Sequence, residues 1–224
     1  VVKKVPLSEF SKVQNGGTSA ITLDEGDVLI GADLTDGAHS VMLFSDAGKA
    51  LRFDENEVRP MGRTARGVGG MKIRPEDRII AMIVANDEGQ MVLTATENGY
   101  GKRTPIAEYT MHGRNTMGMI AIATTERNGK VVAACLVDEN DEVILLTKKG
   151  KLVRIPVCDI RICSRATQGV KLVNLKDDDL VSVTPVKDQG GDDAEPAPEG
   201  GEGEGSEDGP ADPSPEETPS LDDL

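Results

Sequence analysis

Six arginines of this 224-residue chain fall into two rows with one spacing: Arg52, Arg103 and Arg154 stand 51 residues apart, and so do Arg63, Arg114 and Arg165. The second row opens the stretches "RTARG", "RNTMG" and "RATQG", which close on Gly67, Gly118 and Gly169. A guanidinium carries five N–H donors in a planar fork that fits two oxygens of a phosphate or a carboxylate. Two kinds of chemistry follow. A row of such groups on one edge could hold duplex DNA, whose phosphates repeat regardless of sequence and shed counterions when Arg or Lys meets them. Alternatively, the arginines pair with acids that recur beside them and staple one unit to the next. Those acids are Glu57, Glu108 and Asp159, each five residues after the first arginine of its unit and each followed by Val58, Tyr109 or Ile160. A curved row would also bend the duplex, at about 1–6 kcal/mol for a site of 20–30 base pairs. Charge-assisted hydrogen bonds of roughly 1.5–3 kcal/mol each offset that cost.

Other groups offer less. "TKKGKLVR" gathers Lys148, Lys149, Lys151 and Arg154 around a glycine, as either a phosphate-binding hairpin tip or a solubilising edge. Tyr100 and Tyr109 are the only tyrosines, and 2% aromatic residues without Trp disfavour stacking on single-stranded bases. His39 and His112 have no cysteine or carboxylate constellation and read as surface-loop residues. Neither a catalytic set, a phosphate loop nor a metal motif appears, so no catalytic residue, metal or cofactor is expected.

The elements that must position these groups read as strands, because short β-branched and apolar runs alternate with glycine turns and no sustained 3.6-residue period appears. The spacing predicts four strands per unit: 27–34, 40–45, 49–53 and 69–73; then 78–85, 90–96, 101–106 and 118–124; then 130–137, 142–147, 151–156 and 170–175. Asn98-Gly99 marks a tight hairpin, and the repeat glycines are read simply as turn residues that tolerate positive φ. Four strands in about 50 residues is the pattern of a β-propeller blade in an all-β fold. Lys4, Glu9 and Phe10 repeat the later half of a unit, while 179–186 begins one that does not finish. An incomplete or open ring is expected, with its end blades the weak points.

The net charge of −14 is unevenly spread: fourteen acids and no Lys or Arg lie from Asp188 onward, which leaves 25 bases and 25 acids in residues 1–187. A polyanionic partner is therefore not excluded for the body. Residues 188–224 lack aromatic and nearly all apolar side chains, so they are expected to form a disordered acidic tail behind a folded domain of 1–187. Three cysteines without C-x-x-C spacing fit a reducing compartment. With no membrane-span run and no signal-peptide pattern, a soluble cytoplasmic protein without membrane contact is expected. The missing initiator Met points to processing or a cut fragment.

Several long motifs, "SVMLFSDAGKALRF" (40–53), "MGRTARGV" (61–68), "TATENGYGKRTPIAEY" (94–109), "GRNTMG", "ATTERNGKVVAA" (123–134) and "SRATQGVKL" (164–172), make residues 1 to about 187 similar to the C-terminal domain of the bacterial gyrase A family. That resemblance implies a hairpin-invaded β-propeller, or β-pinwheel, in which neighbouring blades exchange strands. It also implies a basic perimeter that wraps duplex DNA and gives strand passage its direction, toward negative supercoils. The segment is then non-catalytic by itself and belongs to an ATP-dependent type IIA topoisomerase, DNA gyrase. Its partners would be the ATPase B subunit together with the N-terminal breakage-reunion part of gyrase A, in the nucleoid. Carried over by position, the DNA-contact candidates are Lys4, Arg52, Arg63, Arg66, Lys102, Arg103, Arg114, Arg154, Arg165 and Lys171, beside the Lys148, Lys149 and Lys151 tip. The family's breaking tyrosine lies in the N-terminal region, so neither Tyr100 nor Tyr109 inherits that role. The glutamine-arginine-arginine-glycine-rich box that marks gyrase is not found and is expected upstream. Without it, a topoisomerase IV-like domain is the alternative, and a protein-docking propeller is another.

Overall fold

Apolar runs become strands here wherever a neighbouring unit supplies an edge to pair with. In the computed structural model, residues 1–12, 16–85 and 87–187 are described; the expected acidic tail lies outside them. Eleven strands occur among these residues: β1 (Ser40–Ser45), β2 (Lys49–Asp54), β3 (Ile79–Ala85), β4 (Met91–Thr96), β5 (Tyr100–Pro105), β6 (Met119–Ile120), β7 (Val131–Val137), β8 (Glu142–Thr147), β9 (Leu152–Pro156), β10 (Val170–Lys171) and β11 (Leu180–Val186). The only helical pieces among them are four 3-10 turns, at Leu7–Phe10, Glu55–Glu57, Ile106–Glu108 and Val157–Asp159. The last three each follow the third strand of a unit, and all four end on or beside the recurring acid. The apolar residue after that acid, Val58, Tyr109 or Ile160, is buried.

Pairing within the sheets is antiparallel, in the orders β3-β1-β2-β6, β10-β5-β4-β7 and β11-β8-β9, while isolated bridges Lys4–Pro60, Arg52–Met111 and Arg103–Ile162 are parallel. The strands of one sheet do not come from one repeat. The first two sheets take their central hairpin from one 51-residue unit and their inner and outer edges from the first and fourth strands of the next unit, while the third has the hairpin β8-β9 and the inner strand β11. Successive blades therefore exchange strands. The inner strands β3, β7 and β11 pack against one another, whereas β6 and β10 lie on the opposite edges. Two apolar clusters fill the spaces between sheets, one around Met42, Phe44, Ile83, Val92 and Tyr109, the other around Leu93, Val143, Leu145, Ile160 and Leu180. Phe44 meets Tyr109 edge-on, with ring centroids 6.0 Å apart. A third cluster, with Val41, Leu43 and Phe53, covers the other face of the first sheet, so β1 is buried on both faces. β8 instead alternates buried and half-buried residues, as a sheet covered on one face does.

The expectations for four strands change. Residues 27–34 form no strand, and Val28, Leu29 and Leu34 are exposed. Their equivalents β3, β7 and β11 pair with the second strand of the unit before, and among the described residues no such strand precedes 27–34. The fourth strands at 118–124 and 170–175 shrink to two residues because the chain then folds over the hairpin tip of the preceding unit. Ala121 and Ile122 N–H both donate to Gly48 O, at 2.8 and 3.3 Å, and Leu172 and Val173 N–H to Gly99 O, at 2.8 and 3.3 Å. In the first unit the expected 69–73 strand does not form, and a single bridge, Val2 to Val68, stands just before it. As expected, 180–186 is the first strand of a unit whose later strands are not among the described residues: as β11 it forms the inner edge of the third sheet, with Leu180 and Val183 buried.

Candidate nucleic-acid interface

The repeated glycines are clamps against the preceding blade as well as turn residues. Gly67, Gly118 and Gly169 have φ of 97, 67 and 77°, a region costly for residues with a Cβ. A Cβ at Gly67 would lie 2.5 Å from Val2 O, one at Gly169 2.6 Å from Gly101 O, and one at Gly118 would overlap Ala50 O. The 114–118 and 165–169 loops thus press their backbone onto the third strand of the unit before, and the 63–67 loop presses onto Val2.

The first row of cations secures the same joint from the other side. Arg52 is buried and donates from Nε to Ser40 Oγ at 2.9 Å, from Nη1 to Ile106 O and Tyr109 O at 3.4 Å, and through both Nη atoms to Glu88. That contact lowers the Glu88 pKa. Arg103, also buried, repeats the arrangement one unit later, donating to Ile160 O at 2.6 Å and Cys158 O at 3.1 Å. Each arginine therefore caps the carbonyls around the next unit's 3-10 turn. Lys4 reaches the corresponding turn in the first unit, with Nζ 2.6 Å from Glu55 Oε2. Burial raises the Glu55 pKa, but hydrogen bonds with Lys4 and Thr35 and with the N–H groups of His39 and Gly37 outweigh it and bring the pKa down to about 2.

The second row holds the loops. Arg114 N–H donates to Glu57 Oε2 at 2.9 Å, its Nε to Glu57 O at 3.0 Å and its Nη1 to Gly69 O at 2.8 Å. Arg165 does likewise, N–H to Glu108 Oε2 at 3.0 Å and Nη1 to Ile120 O at 2.7 Å. The recurring acid accepts from the arginine's backbone, and the guanidinium caps a carbonyl. Arg63 caps Ser19 O at 3.2 Å. All three side chains are half-buried on the outer edge, so the two alternatives for this row are not exclusive.

This exchange geometry has counterparts of known family. Residues 1–36, 39–86, 90–137 and 141–187 match the model of the DNA gyrase C-terminal domain, beta-propeller. The chain belongs to that family. It is 49% identical over 208 residues to the gyrase A protein of Klebsiella oxytoca, covering 92% of this chain and 24% of that protein. It thus spans about a quarter of the length of the curated relatives it matches. Among solved structures, the C-terminal domain of DNA topoisomerase IV superposes with a TM-score of 0.78 at 26% identity, covering 83% of this chain and 58% of that one. A DNA gyrase A C-terminal domain does so with 0.69 at 28%, covering 76% and 58%.

Within this gyrase-type domain the candidate cations divide by burial. Arg52, Arg103 and Lys102 are corrected as contact candidates, since a side chain at 7%, 4% or 0% exposure cannot touch a phosphate where it stands. Lys102 has Leu51 and Val153 at its equivalent positions. Its Nζ donates to Ser164 O and Arg165 O, both at 2.6 Å. Burial lowers its pKa to about 8, against the opposing pull of Cys163 and Glu108. Arg66, Lys148, Lys149, Lys151, Arg154 and Lys171 are exposed. Arg66 pairs with Asp24 at 2.8 Å, Lys148 with Asp179 at 3.5 Å, and Arg154 with Glu142. No following 3-10 turn among the described residues lies over Arg154, which is why it differs from Arg52 and Arg103.

Three features escaped sequence reasoning. Lys130 and Arg127 are exposed cations at the hairpin-tip side, Lys130 bonded to Asp46 Oδ2 at 2.8 Å with its pKa raised by that contact. Arg127 lies with Lys171 beside Tyr100. His39 does have carboxylates around it, Asp36 at 2.8 Å and Glu55 at 3.6 Å. Glu55 is already engaged by Lys4 and by the N–H groups of Gly37 and His39, so that cluster reads as a joint of the fold. None of the three recurs at the 51-residue spacing, the only signal the sequence offered. Among the described residues no helix is long and apolar enough to cross a membrane.

Proposed function

We propose that this chain is a non-catalytic module of a DNA gyrase that binds and bends duplex DNA along the outer edge of its blades. The observation that carries this reading is the repeated placement of the arginine-to-glycine loops: 114–118 and 165–169 lie against the outer hairpin strands β2 and β5 of successive sheets, and 63–67 is set in the same way against Val2. With inner strands stacked and outer edges apart, exposed cations there lie on a curved track, and the duplex follows it through its phosphates whatever its sequence. The contact set is Arg63, Arg66, Arg114, Lys148, Lys149, Lys151, Arg154, Arg165 and Lys171, with Lys4, Arg52, Lys102 and Arg103 holding the blades that present them. Within a longer protein the module works in the cytoplasm beside a breakage-reunion region and an ATPase partner, giving strand passage its direction. Residues 188–224 carry fourteen acids, and as a tethered polyanion they compete with phosphate for the same cations.

Fluorescence anisotropy with labelled random duplexes of increasing length tests the reading. Affinity should grow with length and fall steeply with salt. Binding independent of both would refute DNA wrapping and leave a protein-docking propeller. A topoisomerase IV-type module is the second reading, favoured by the TM-score of 0.78 with that domain and opposed by 49% identity to a gyrase relative.

A further inference from the structure

Tyr100 opens β5 just after the hairpin glycine, and two cations converge on its ring. The Arg127 guanidinium carbon lies 4.7 Å from the ring centroid and Lys171 Nζ 5.8 Å. Lys171 is the cross-strand partner of Tyr100 in the β10–β5 pair, so its position is set by sheet register. Arg127 is positioned by the hairpin tip: Asn98 Nδ2 donates to the carbonyls of Glu126 and Arg127, each at 3.1 Å, and Asn98 N–H to Asn128 O at 3.2 Å. The buried Asn128 in turn holds Ala123 O at 2.8 Å and Gln168 O at 3.2 Å. The platform is therefore rigid, although its cationic groups are on the surface.

The two cations lie close together on one ring, and among the described residues neither is neutralised by an acid. Arg66, Lys130, Lys148, Arg154 and Lys187 each meet a carboxylate. Among the described residues no carboxylate lies within ion-pair distance of Arg127 or Lys171. Two like charges held against one ring repel each other, and an anion between them relieves that cost. The Tyr100 phenol reports the same field: its pKa is lowered, first by the hydrogen bond with Arg127 and also by the charges of Lys171 and Arg127. Nor does the repeat impose the cluster. The 51-residue equivalents of Arg127 are Glu76 and Asp178, and those of Lys171 are Gly69 and Ile120.

We propose that Arg127, Lys171 and Tyr100 form a binding site for a phosphodiester group of the duplex backbone, a step that rests on the DNA reading above. The two cations bracket the phosphate, and the ring fixes the guanidinium through cation–π contact. A free phosphate ion offers related chemistry, but the commitment here is to the polymer.

The test uses the full 224-residue chain. Anisotropy of a labelled random duplex is measured over a range of salt concentrations. R127Q/K171Q should make the salt slope shallower by about two units and weaken binding about tenfold at low salt. K130Q/K187Q removes the same charge from carboxylate-paired cations and should change the slope by less than about one unit. Tyr100→Phe keeps the ring and should bind within about twofold, whereas Tyr100→Leu should lose several-fold. Ring-labelled tyrosine NMR locates the contact: Tyr100 should shift with duplex and stay unmoved with inorganic phosphate at equal phosphate concentration. Equal slopes for the two double variants, or an unmoved Tyr100 at saturating duplex, would overturn the site and leave the DNA reading standing. Saturation by inorganic phosphate over the same range would also overturn it. Failure of the unsubstituted chain to bind any duplex would overturn both.

Discussion

Replacing Gly118 by Ala tests whether the repeat glycine exists for close approach of blades or merely for its turn. Gly118 and Gly150 make a matched pair, with φ of 67 and 82°. At Gly150 an added Cβ meets nothing within 4 Å, while at Gly118 it runs into Ala50 O. Gly150→Ala should therefore cost only the left-handed backbone penalty, about 1–2 kcal/mol. Gly118→Ala incurs the same penalty and must also lift the loop from β2. That move breaks some of the Arg114 hydrogen bonds to Glu57 and Gly69 and the pairing of Ala50 with Met119. At about 0.5–1.5 kcal/mol each, losing two or three brings the total to about 3–5 kcal/mol. For a body of this size the expected drops in Tm are about 8–16 °C for Gly118→Ala and about 3–6 °C for Gly150→Ala. Circular dichroism melts measure both. Asn relieves the φ penalty but not the overlap, so Gly150→Asn should be nearly neutral and Gly118→Asn as damaging as Ala. Equal losses at the two sites would refute the clamp.

Other outcomes follow from the same joints. Lys102 has a folded pKa near 8 against 10.5 for an ordinary lysine, so the folded state releases its proton before the unfolded chain does. Stability relative to Lys102→Met should therefore rise as pH goes from about 8 to about 10.5, read by urea unfolding at a series of pH values. A flat difference would show that the ammonium is not buried. Glu55 has the opposite sign: its pKa is depressed to about 2 from 4.5. Its advantage over Glu55→Gln should be complete above about pH 4.5 and vanish as pH falls toward about 2, measured by the same titration. Deleting residues 188–224 should strengthen duplex binding at low salt, with the gain fading as salt rises; unchanged affinity across the titration would leave the tail as a solubiliser.

Much of the blade was legible because a strand shows its period and its turns locally. The hairpins at Gly48, Gly99 and Gly150, the 51-residue unit and the recurring acid all map onto one structural position in each blade. Strand partnership is a different matter. The run at 27–34 carries Val28, Leu29, Ile30 and Leu34, yet it stays unpaired, because β structure requires a second chain segment and local sequence does not say whether one is present.

The site divides along the same line. Sequence alone determined the spacing of the arginines and the charge balance of residues 1–187, since both are properties of order and composition. Tertiary structure decided which cations are free. Arg103 and Arg154 occupy equivalent positions, but the turn of a following unit buries one and none of the described residues covers the other. Lys102 and Arg127 have no counterparts in the repeat and took their roles from neighbours 62 and 29 residues away, Ser164 and Asn98. Burial and charge pairing depend on what arrives from distant sequence, and the exchange of strands between blades is what brings it.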